Sequence, residues 1–225
     1  MEPAQTARGP VDAETHPVAS SGEIAGIEVP GGTVYVEQFR SGTEPVIAIH
    51  GISSQRRLWN WLRAAAPGLS LVAPDLRGRG DSVGAEGPSS IARHAADMVA
   101  VLDRLGLPVV HVCGMSMGGS VAVELATAYP RRVKSLILVD GGFPMAAPPG
   151  LTPEALPAIF RDRLARLERD WSYLAHDLVD HRVRLSAEAL VADAADVFFG
   201  PSKWPQLGVL TRFLTAEALD EQGLS

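Results

Sequence analysis

The sequence predicts an α/β fold built on a doubly wound, mostly parallel β-sheet. Three observations lead to this fold class. Four short runs are apolar except for Ser70 and His111, which is typical of strands buried on both faces of a parallel sheet. Segments with helical periodicity lie between these runs, and the runs end in polar residues or glycine. Because ligands of such sheets bind at the carboxyl ends of the strands, the polar ends predict a functional site there.

The chain begins with a segment that we expect to be a disordered tail. Residues 1–22 are rich in Pro, Gly, Ser, Thr and charged side chains and contain few large apolar groups. Ile24, Ile27 and Val29 then indicate a first short strand. The turn residues Pro30 to Gly32 separate it from a β-branched and aromatic stretch, Thr33 to Phe39, so these two segments are predicted to pair as a hairpin.

The four apolar runs and the helical segments between them form the predicted core, residues 23–145. The runs are Val46–Ile49, Leu69–Ala73, Val109–Cys113 and Leu136–Val139. The helical segments are marked by apolar residues at spacings of three and four over Leu58–Ala66, Ile91–Leu105 and Val121–Tyr129. Gly106 with Pro108 ends the second of these helices, and Pro130 ends the third.

The pattern changes after Gly150, where helical signals replace the alternation of strand and helix. Thr152 is expected to cap one helix, whose apolar residues recur from Leu164 to Leu178, and Ser186 to cap another. We expect residues 146–206 to form a helical cap over the carboxyl ends of the strands; the alternative is a plain helical extension. Residues 207–225 are interpreted as the start of a C-terminal core segment.

The most informative motif is Gly114-Met115-Ser116-Met117-Gly118, which lies between an apolar run and an Ala/Val-rich helical stretch. A sharp turn from strand to helix holds a serine hydroxyl out of the sheet, and the glycines remove side chains that would collide there. We therefore predict Ser116 as a nucleophile. The alternative is an ordinary strand-to-helix turn whose serine caps the helix.

Four segments in this order make the chain resemble the α/β-hydrolase superfamily. They are His50–Ile52, Asp75–Ser82, Gly114–Gly119 and Leu138–Gly142. The resemblance implies that Ser116 is the nucleophile and that the backbone N–H groups of Ile52 and Met117 form the oxyanion hole. It also implies that His50 and Gly51 support the oxyanion turn. Because the elbow carries Ser and not Asp, the expected route runs through an acyl-enzyme.

The acid and the base are less clearly marked than the nucleophile. Two acids are candidates: Asp140 at the end of an apolar run, and Asp220 in the loop after a strand over residues 208–215, where a helix over 207–219 is the competing interpretation. Only His176 and His181 follow Ser116 in the sequence, and both are interpreted as ordinary histidines of the helical segment. The resulting hypothesis is a C-terminally incomplete hydrolase that lacks the catalytic histidine.

Composition excludes several other classes of function. The chain has 225 residues, a formal net charge of −6 and one cysteine, which argues against nucleic acid or an anionic membrane as partner and favours a cytoplasmic location. No metal-ligand spacing or phosphate-binding loop is present in the sequence, so we expect no cofactor and no metal. The predicted partner is a small-molecule acyl substrate.

The sequence therefore predicts a serine hydrolase that cleaves an ester or related acyl bond of a small molecule. Two alternatives stay open: a non-catalytic ligand-binding protein of the same fold, and a cofactor-free haloperoxidase or perhydrolase. Several aromatic residues either line an apolar pocket or belong to the core, namely Trp59, Trp61, Trp171, Trp204, Phe143, Phe198 and Phe199.

Overall fold

The computed structural model describes residues 22–42, 44–142, 147–169 and 184–200. Within these ranges six strands form one sheet in the order β1-β2-β4-β3-β5-β6. The strands are β1 (Glu23–Val29), β2 (Gly32–Phe39), β3 (Pro45–Ile49), β4 (Ser70–Pro74), β5 (Val110–Met115) and β6 (Val133–Val139). The predicted mostly parallel α/β sheet is confirmed, because β4, β3, β5 and β6 are mutually parallel, whereas β2 pairs antiparallel with both β1 and β4.

Five α-helices accompany the sheet in the described ranges: α1 (Asn60–Ala65), α2 (Ile91–Arg104), α3 (Met117–Ala128), α4 (Leu156–Arg169) and α5 (Ala187–Phe199). Three short 3-10 segments, Arg56–Trp59, Gly80–Gly84 and Pro130–Arg132, lie in the connections. None of the helices in the described part of the chain is long and apolar enough to cross a bilayer.

Both faces of the parallel strands β3, β4 and β5 are covered, as their apolar sequences predict, whereas Ile137 of β6 is 50% exposed. Ile47 and Ile49 of β3 belong to the larger apolar cluster, which includes residues of α2 and α3. Val46 and Ala48 of the same strand point to the opposite face and pack in a second cluster with Leu58 and Trp59. Alternate residues of one strand therefore enter two different cores, which is the doubly wound arrangement.

The third helix begins earlier than the apolar residues of Val121–Tyr129 predict. It starts at Met117, because Ser116 is itself the residue before the first turn and its carbonyl accepts a hydrogen bond from Gly119 N (2.9 Å). Thr152 caps the turn that leads into α4, as predicted: its Oγ1 accepts from Ala155 N at 3.3 Å and its carbonyl accepts from Leu156 N at 3.3 Å, and α4 itself runs from Leu156. The prediction for the last helix is confirmed: Ser186 caps α5 and accepts from Ala189 N at 3.3 Å.

Helices α4 and α5 pack on each other through a small apolar cluster of their own. Leu156 and Phe160 from α4 meet Leu190 and Ala194 from α5, and all four are buried. Two backbone hydrogen bonds join the chain just before α5 to the loop after β4: Gly80 N donates to Arg184 O, and Ser186 N donates to Gly78 O, both at 2.8 Å. Helix α5 is thereby fixed beside the carboxyl ends of the parallel strands.

Candidate active site

Ser116 occupies the sharp turn between β5 and α3. Its backbone has φ +51° and ψ −121°, a left-handed conformation that is rare for a residue with a side chain and costs on the order of 1–3 kcal/mol. The turn is held from below, because Ser116 N donates to the carbonyl of Val139 in β6 at 2.9 Å. A strained turn locked by its neighbours keeps the hydroxyl in one place above the sheet.

Glycines at this turn are required by close contacts between backbone segments. A Cβ on Gly114 would lie 2.2 Å from Gly118 O, and a Cβ on Gly118 would lie 2.2 Å from Ile49 O. A Cβ on Gly141 would lie 2.1 Å from Ser116 O. The ends of β3, β5 and β6 and the start of α3 therefore approach each other more closely than any side chain permits.

His50 lies at the end of β3 and is completely buried. Its Nδ1 lies 2.7 Å from Gly51 O, and its Nε2 accepts a hydrogen bond from Leu76 N at 3.0 Å. These partners assign the proton to Nδ1, which makes the ring neutral. Burial lowers the pKa of His50 to about 3, so the ring stays neutral at physiological pH. Both nitrogens are engaged in holding the turn around Gly51.

Gly51 brings that turn against Ser116. A Cβ on Gly51 would lie 3.4 Å from the Cβ of Ser116 and 3.9 Å from its Oγ. The structure thus brings together four of the predicted site residues, His50, Gly51, Ile52 and Ser116, with Met117 as the first residue of α3. A small cavity of about 50 Å³ opens at this point, and it is lined by Ile52, Ser116, Met117, Ser120, Gly141, Gly142, Val197 and Phe198.

Asp140 directly follows β6 in a left-handed conformation with φ +49°, and it is exposed. It immediately precedes Gly141, whose backbone lies against that of Ser116, so Asp140 is near the turn at Ser116 in space. The other candidate acid, Asp220, lies outside the described residues, as do His176 and His181.

The remaining histidines of the described ranges point to partners other than Ser116. His94 Nε2 lies 2.9 Å from Asp193 Oδ2, and His111 lies 2.6 Å from both Ser135 Oγ and Glu44 Oε2. Within the described residues, then, no imidazole hydrogen bonds to Ser116 Oγ. These ranges also contain no group of three His, Cys, Asp or Glu side chains placed to hold a metal ion.

A buried ionic cluster lies behind the cavity, and sequence analysis did not foresee it. Arg79 Nη1 pairs with Asp193 Oδ2 at 2.5 Å, and both side chains are fully buried. Ser89 Oγ donates to Asp193 Oδ1 at 2.8 Å, while His94 contacts the other oxygen. Burial alone opposes ionisation, but His94, Arg79 and Ser89 together lower the pKa of Asp193 to about 2, so it is an anion. We call Arg79, Asp193, His94 and Ser89 the ionic anchor.

The ionic anchor also contacts the turn after β3 at Ile52. Arg79 Nε donates to Ile52 O at 3.0 Å, and Arg79 Nη1 donates to Arg77 O at 2.9 Å. The only sequence signal for the anchor is an aspartate at position 193 on a helix whose neighbours are apolar, Leu190, Val191 and Ala194. A charge on such a face is rarely buried unless it is paired.

A second ionic network explains the Asp75–Ser82 segment without giving it a catalytic role. Arg56, itself buried, pairs with Asp75 and with Asp81, the latter at 2.6 Å. Asp75 also accepts from Arg56 N (2.7 Å) and Asp81 N (2.9 Å). Burial raises the pKa of Asp75 above its usual value despite these partners. Its donors are Arg56, in the segment after β3, and Asp81, so Asp75 joins that segment to its own turn.

A family model described as "alpha/beta hydrolase fold" matches residues 44–192 of this chain. Among curated proteins, lipase LipV of Mycobacterium tuberculosis is 40% identical over 100 residues, which are 44% of this chain and 38% of that protein. The putative carbamate hydrolase RutD of Azorhizobium caulinodans is 37% identical over 109 residues, 48% of this chain and 41% of its own length.

A longer but weaker similarity extends into a differently named protein. The dihydrolipoyllysine-residue acetyltransferase component of the acetoin cleaving system of Cupriavidus necator is 33% identical over 180 residues, 74% of this chain and 48% of that protein. The matched part of this chain thus spans less than half the length of each of these three curated relatives.

Solved structures show the same fold. A variant of the N-acyl homoserine lactonase AidH matches with a TM-score of 0.62 at 22% identity, covering 84% of this chain and 73% of that one. An esterase from Exiguobacterium antarcticum matches with a TM-score of 0.62 at 24% identity, covering 76% of this chain and 72% of that one. At these identities the structural matches establish the architecture alone.

Proposed function

The chain belongs to the α/β-hydrolase fold family, and from this premise we propose that it is a serine hydrolase that cleaves an ester or related acyl bond of a small molecule through an acyl-enzyme on Ser116. The observation that carries the proposal is the strained backbone of Ser116, at φ +51°, on a turn that abuts Gly51 and opens into the cavity. Strain of this kind persists where the surrounding structure enforces it, and it clusters at functional sites.

In the proposed reaction, Ser116 Oγ attacks the carbonyl carbon of the substrate and its proton passes to a base. The carbonyl oxygen becomes an oxyanion, which the N–H groups of Ile52 and Met117 stabilise. Met117 suits this role because it is the first residue of α3, where the helix dipole favours negative charge. The alcohol then leaves with a proton, and water cleaves the acyl-enzyme to release the acid and regenerate Ser116.

In the proposed reaction, residues other than His50 and its hydrogen-bond partners supply the acid and the base. Asp140 and Asp220 remain the candidate acids, and His176 and His181 the histidines that follow Ser116 in the chain. His50 is unsuited to the role of base, because burial keeps its pKa near 3 and both its nitrogens are engaged. We further propose that α4 and α5 act as part of a cap, since Val197 and Phe198 of α5 line the cavity.

A second candidate function is a non-catalytic ligand-binding protein of the same fold. It is favoured by one observation, namely that His50, His94 and His111, the histidines in the described ranges, all hydrogen bond to groups other than Ser116. A serine without a base retains only a small part of its reactivity. The two candidates differ in whether Ser116 is activated, which chemical labelling measures directly.

The test is labelling of the purified chain with a fluorophosphonate probe, which reacts with activated serines. Ser116→Ala is compared with Ser120→Ala, a matched control because Ser120 also lines the cavity. The serine hydrolase proposal expects labelling of the wild type and of Ser120→Ala, with loss of at least about 99% of it in Ser116→Ala. Labelling that survives in Ser116→Ala would contradict the proposal. A folded wild-type chain that takes up no label would favour the ligand-binding alternative.

A further inference from the structure

The cavity in front of Ser116 is small compared with an apolar cavity whose ligand is known. Its volume is about 50 Å³. An apolar cavity of about 150 Å³ holds one benzene molecule, which has six carbon atoms. On that scale the cavity beside Ser116 has room for two or three non-hydrogen atoms.

The lining of the cavity is mainly apolar, and its apolar side chains come from three parts of the chain, with Gly141 and Gly142 after β6 as a fourth part. Ile52 belongs to the turn after β3, Met117 to the first turn of α3, and Val197 and Phe198 to α5. Apart from Ser116 itself, Ser120 supplies the one hydroxyl among the described lining residues. An apolar pocket beside a nucleophile suits the hydrocarbon part of an acyl group and offers no partner for a charged one.

The wall formed by α5 is held in place by a buried ion pair and a part-buried hydrogen bond, so widening the pocket has an energetic cost. Asp193 pairs with Arg79 at 2.5 Å in the interior. Three residues further along the helix, Asp196 Oδ2 accepts a hydrogen bond from Ile91 N at 2.7 Å. Moving α5 outward would break both contacts, and separating a buried ion pair leaves two uncompensated charges. Val197 follows Asp196 directly, and so its position is fixed.

We propose that this pocket is the acyl site of the enzyme, that it admits acyl groups of two or three carbons, and that Val197 and Phe198 set this limit. The inference rests on the proposed serine hydrolase function and names its substrate class: acetyl and propionyl esters of small alcohols. Val197 and Phe198 act here as specificity residues, because they determine which acyl chain reaches Ser116 and take no part in bond cleavage.

The first arm of the test measures kcat/KM for p-nitrophenyl acetate, butyrate and octanoate. For the wild type we expect kcat/KM for the acetate ester to exceed kcat/KM for the octanoate ester by about tenfold or more. The reason is that a single methylene group that fits or does not fit a pocket changes kcat/KM by roughly that factor. Phe198→Ala enlarges the pocket, so kcat/KM should become higher for the octanoate ester than for the acetate ester. Phe199→Ala is the matched control, because Phe199 is the adjacent residue and the same type of side chain but does not line the cavity. Wild-type turnover that is equal for acetate and octanoate would overturn the inference.

The second arm measures the size of the pocket without any turnover. Benzene binding is followed by NMR, as magnetisation transfer from benzene to the Val197 methyl groups. We expect no transfer in the wild type or in Phe199→Ala, and transfer in Phe198→Ala; Phe198→Leu serves as a milder variant if the alanine variant does not fold. Transfer in the wild type would overturn the size limit. If wild-type turnover of every ester equals that of Ser116→Ala, the proposed function fails, and the benzene result still decides the pocket size.

Discussion

Arg79 and Asp193 form a fully buried ion pair at 2.5 Å that joins the loop after β4 to helix α5. The same guanidinium donates to the carbonyl of Ile52 at 3.0 Å. One side chain therefore contacts both the turn that carries the proposed oxyanion donor and the helix that carries Val197 and Phe198. This pair therefore links two of the segments that line the cavity.

Asp193→Asn should destabilise the protein strongly, because it leaves the buried charge of Arg79 without its partner. The expected loss in the free energy of unfolding is about 3–5 kcal/mol, measured by urea denaturation. Asp162→Asn is the matched control, since Asp162 pairs with Arg166 on an exposed face of α4. This substitution should lower the free energy of unfolding by less than about 1 kcal/mol. Equal losses in the two variants would show that the ionic anchor contributes no more than a surface pair.

The contribution of Asp193 to the free energy of unfolding should decrease in acid. Its pKa in the folded protein is about 2, below the value of about 3.9 expected in the unfolded chain. A lowered pKa stabilises the folded state above the unfolded value, and this stabilisation is lost as the pH falls from about 4 to 2. The difference in unfolding free energy between wild type and Asp193→Asn should therefore shrink by about 2 kcal/mol between pH 5 and pH 2. A difference independent of pH over this range would contradict the assignment.

His50 should make the stability fall at mildly acidic pH. Its pKa is about 3 in the folded state, against about 6.5 when unfolded, so its stabilising effect is complete above pH 6.5 and declines as the pH drops towards 3. Between pH 6.5 and 5 this amounts to roughly 1–2 kcal/mol. His50→Gln removes the titrating group, and a plot of its unfolding free energy against pH should be flatter than that of the wild type. Identical slopes would argue against a neutral buried imidazole.

Gly114→Ala should distort the nucleophile turn. The added methyl would lie 2.2 Å from the carbonyl oxygen of Gly118, a backbone atom that has no room to move. We expect a loss of roughly 1–3 kcal/mol or more, together with loss of fluorophosphonate labelling. Gly68→Ala is the control, because a methyl group added at Gly68 would have no heavy atom within 4 Å, and the stability should change by less than about 1 kcal/mol. A stable, fully labelled Gly114→Ala would disprove the tight turn.

Trp59 and Trp61 should behave differently although they are two residues apart. Trp59 is 2% exposed and packs under β3 and β4, whereas Trp61 is 53% exposed. Truncation to alanine should cost about 3–5 kcal/mol at position 59 and about 0.5 kcal/mol at position 61 by thermal or urea unfolding. Similar effects at both positions would show that the burial difference is not maintained in solution.

The sheet and the nucleophile turn were predictable because both depend on local sequence. Uniformly apolar runs such as Val46–Ile49 identify strands covered on both faces, and the glycines around Ser116 identify a turn without side chains. The exact start of α3 was not predictable in the same way. Glycine ordinarily weakens a helix, yet Gly118 and Gly119 lie inside the first turn because only they fit against β3 and β6.

The ionic anchor and the pocket wall lay beyond sequence analysis because they depend on contacts between distant segments. Arg79 stands among the glycines of a turn and Asp193 on a helix, and each alone is typical of a solvated surface. The aromatic residues show the same limit: Trp59 belongs to the core and Phe198 to the cavity, a division that helical spacing alone does not make. Asp220, His176, His181, Trp171, Trp204 and Phe143 lie outside the described residues, so their roles stay predictions.

The hydrogen bond between Ser89 and Asp193 joins positions 104 residues apart, and this separation bears on the order of folding. Contacts between distant positions carry a larger loop-closure cost than those within a hairpin or a helix pair. During synthesis the segment that carries Ser116 leaves the ribosome well before α5 does. The carboxyl ends of the strands are thus exposed for a time, and docking of α5 is the step that covers them.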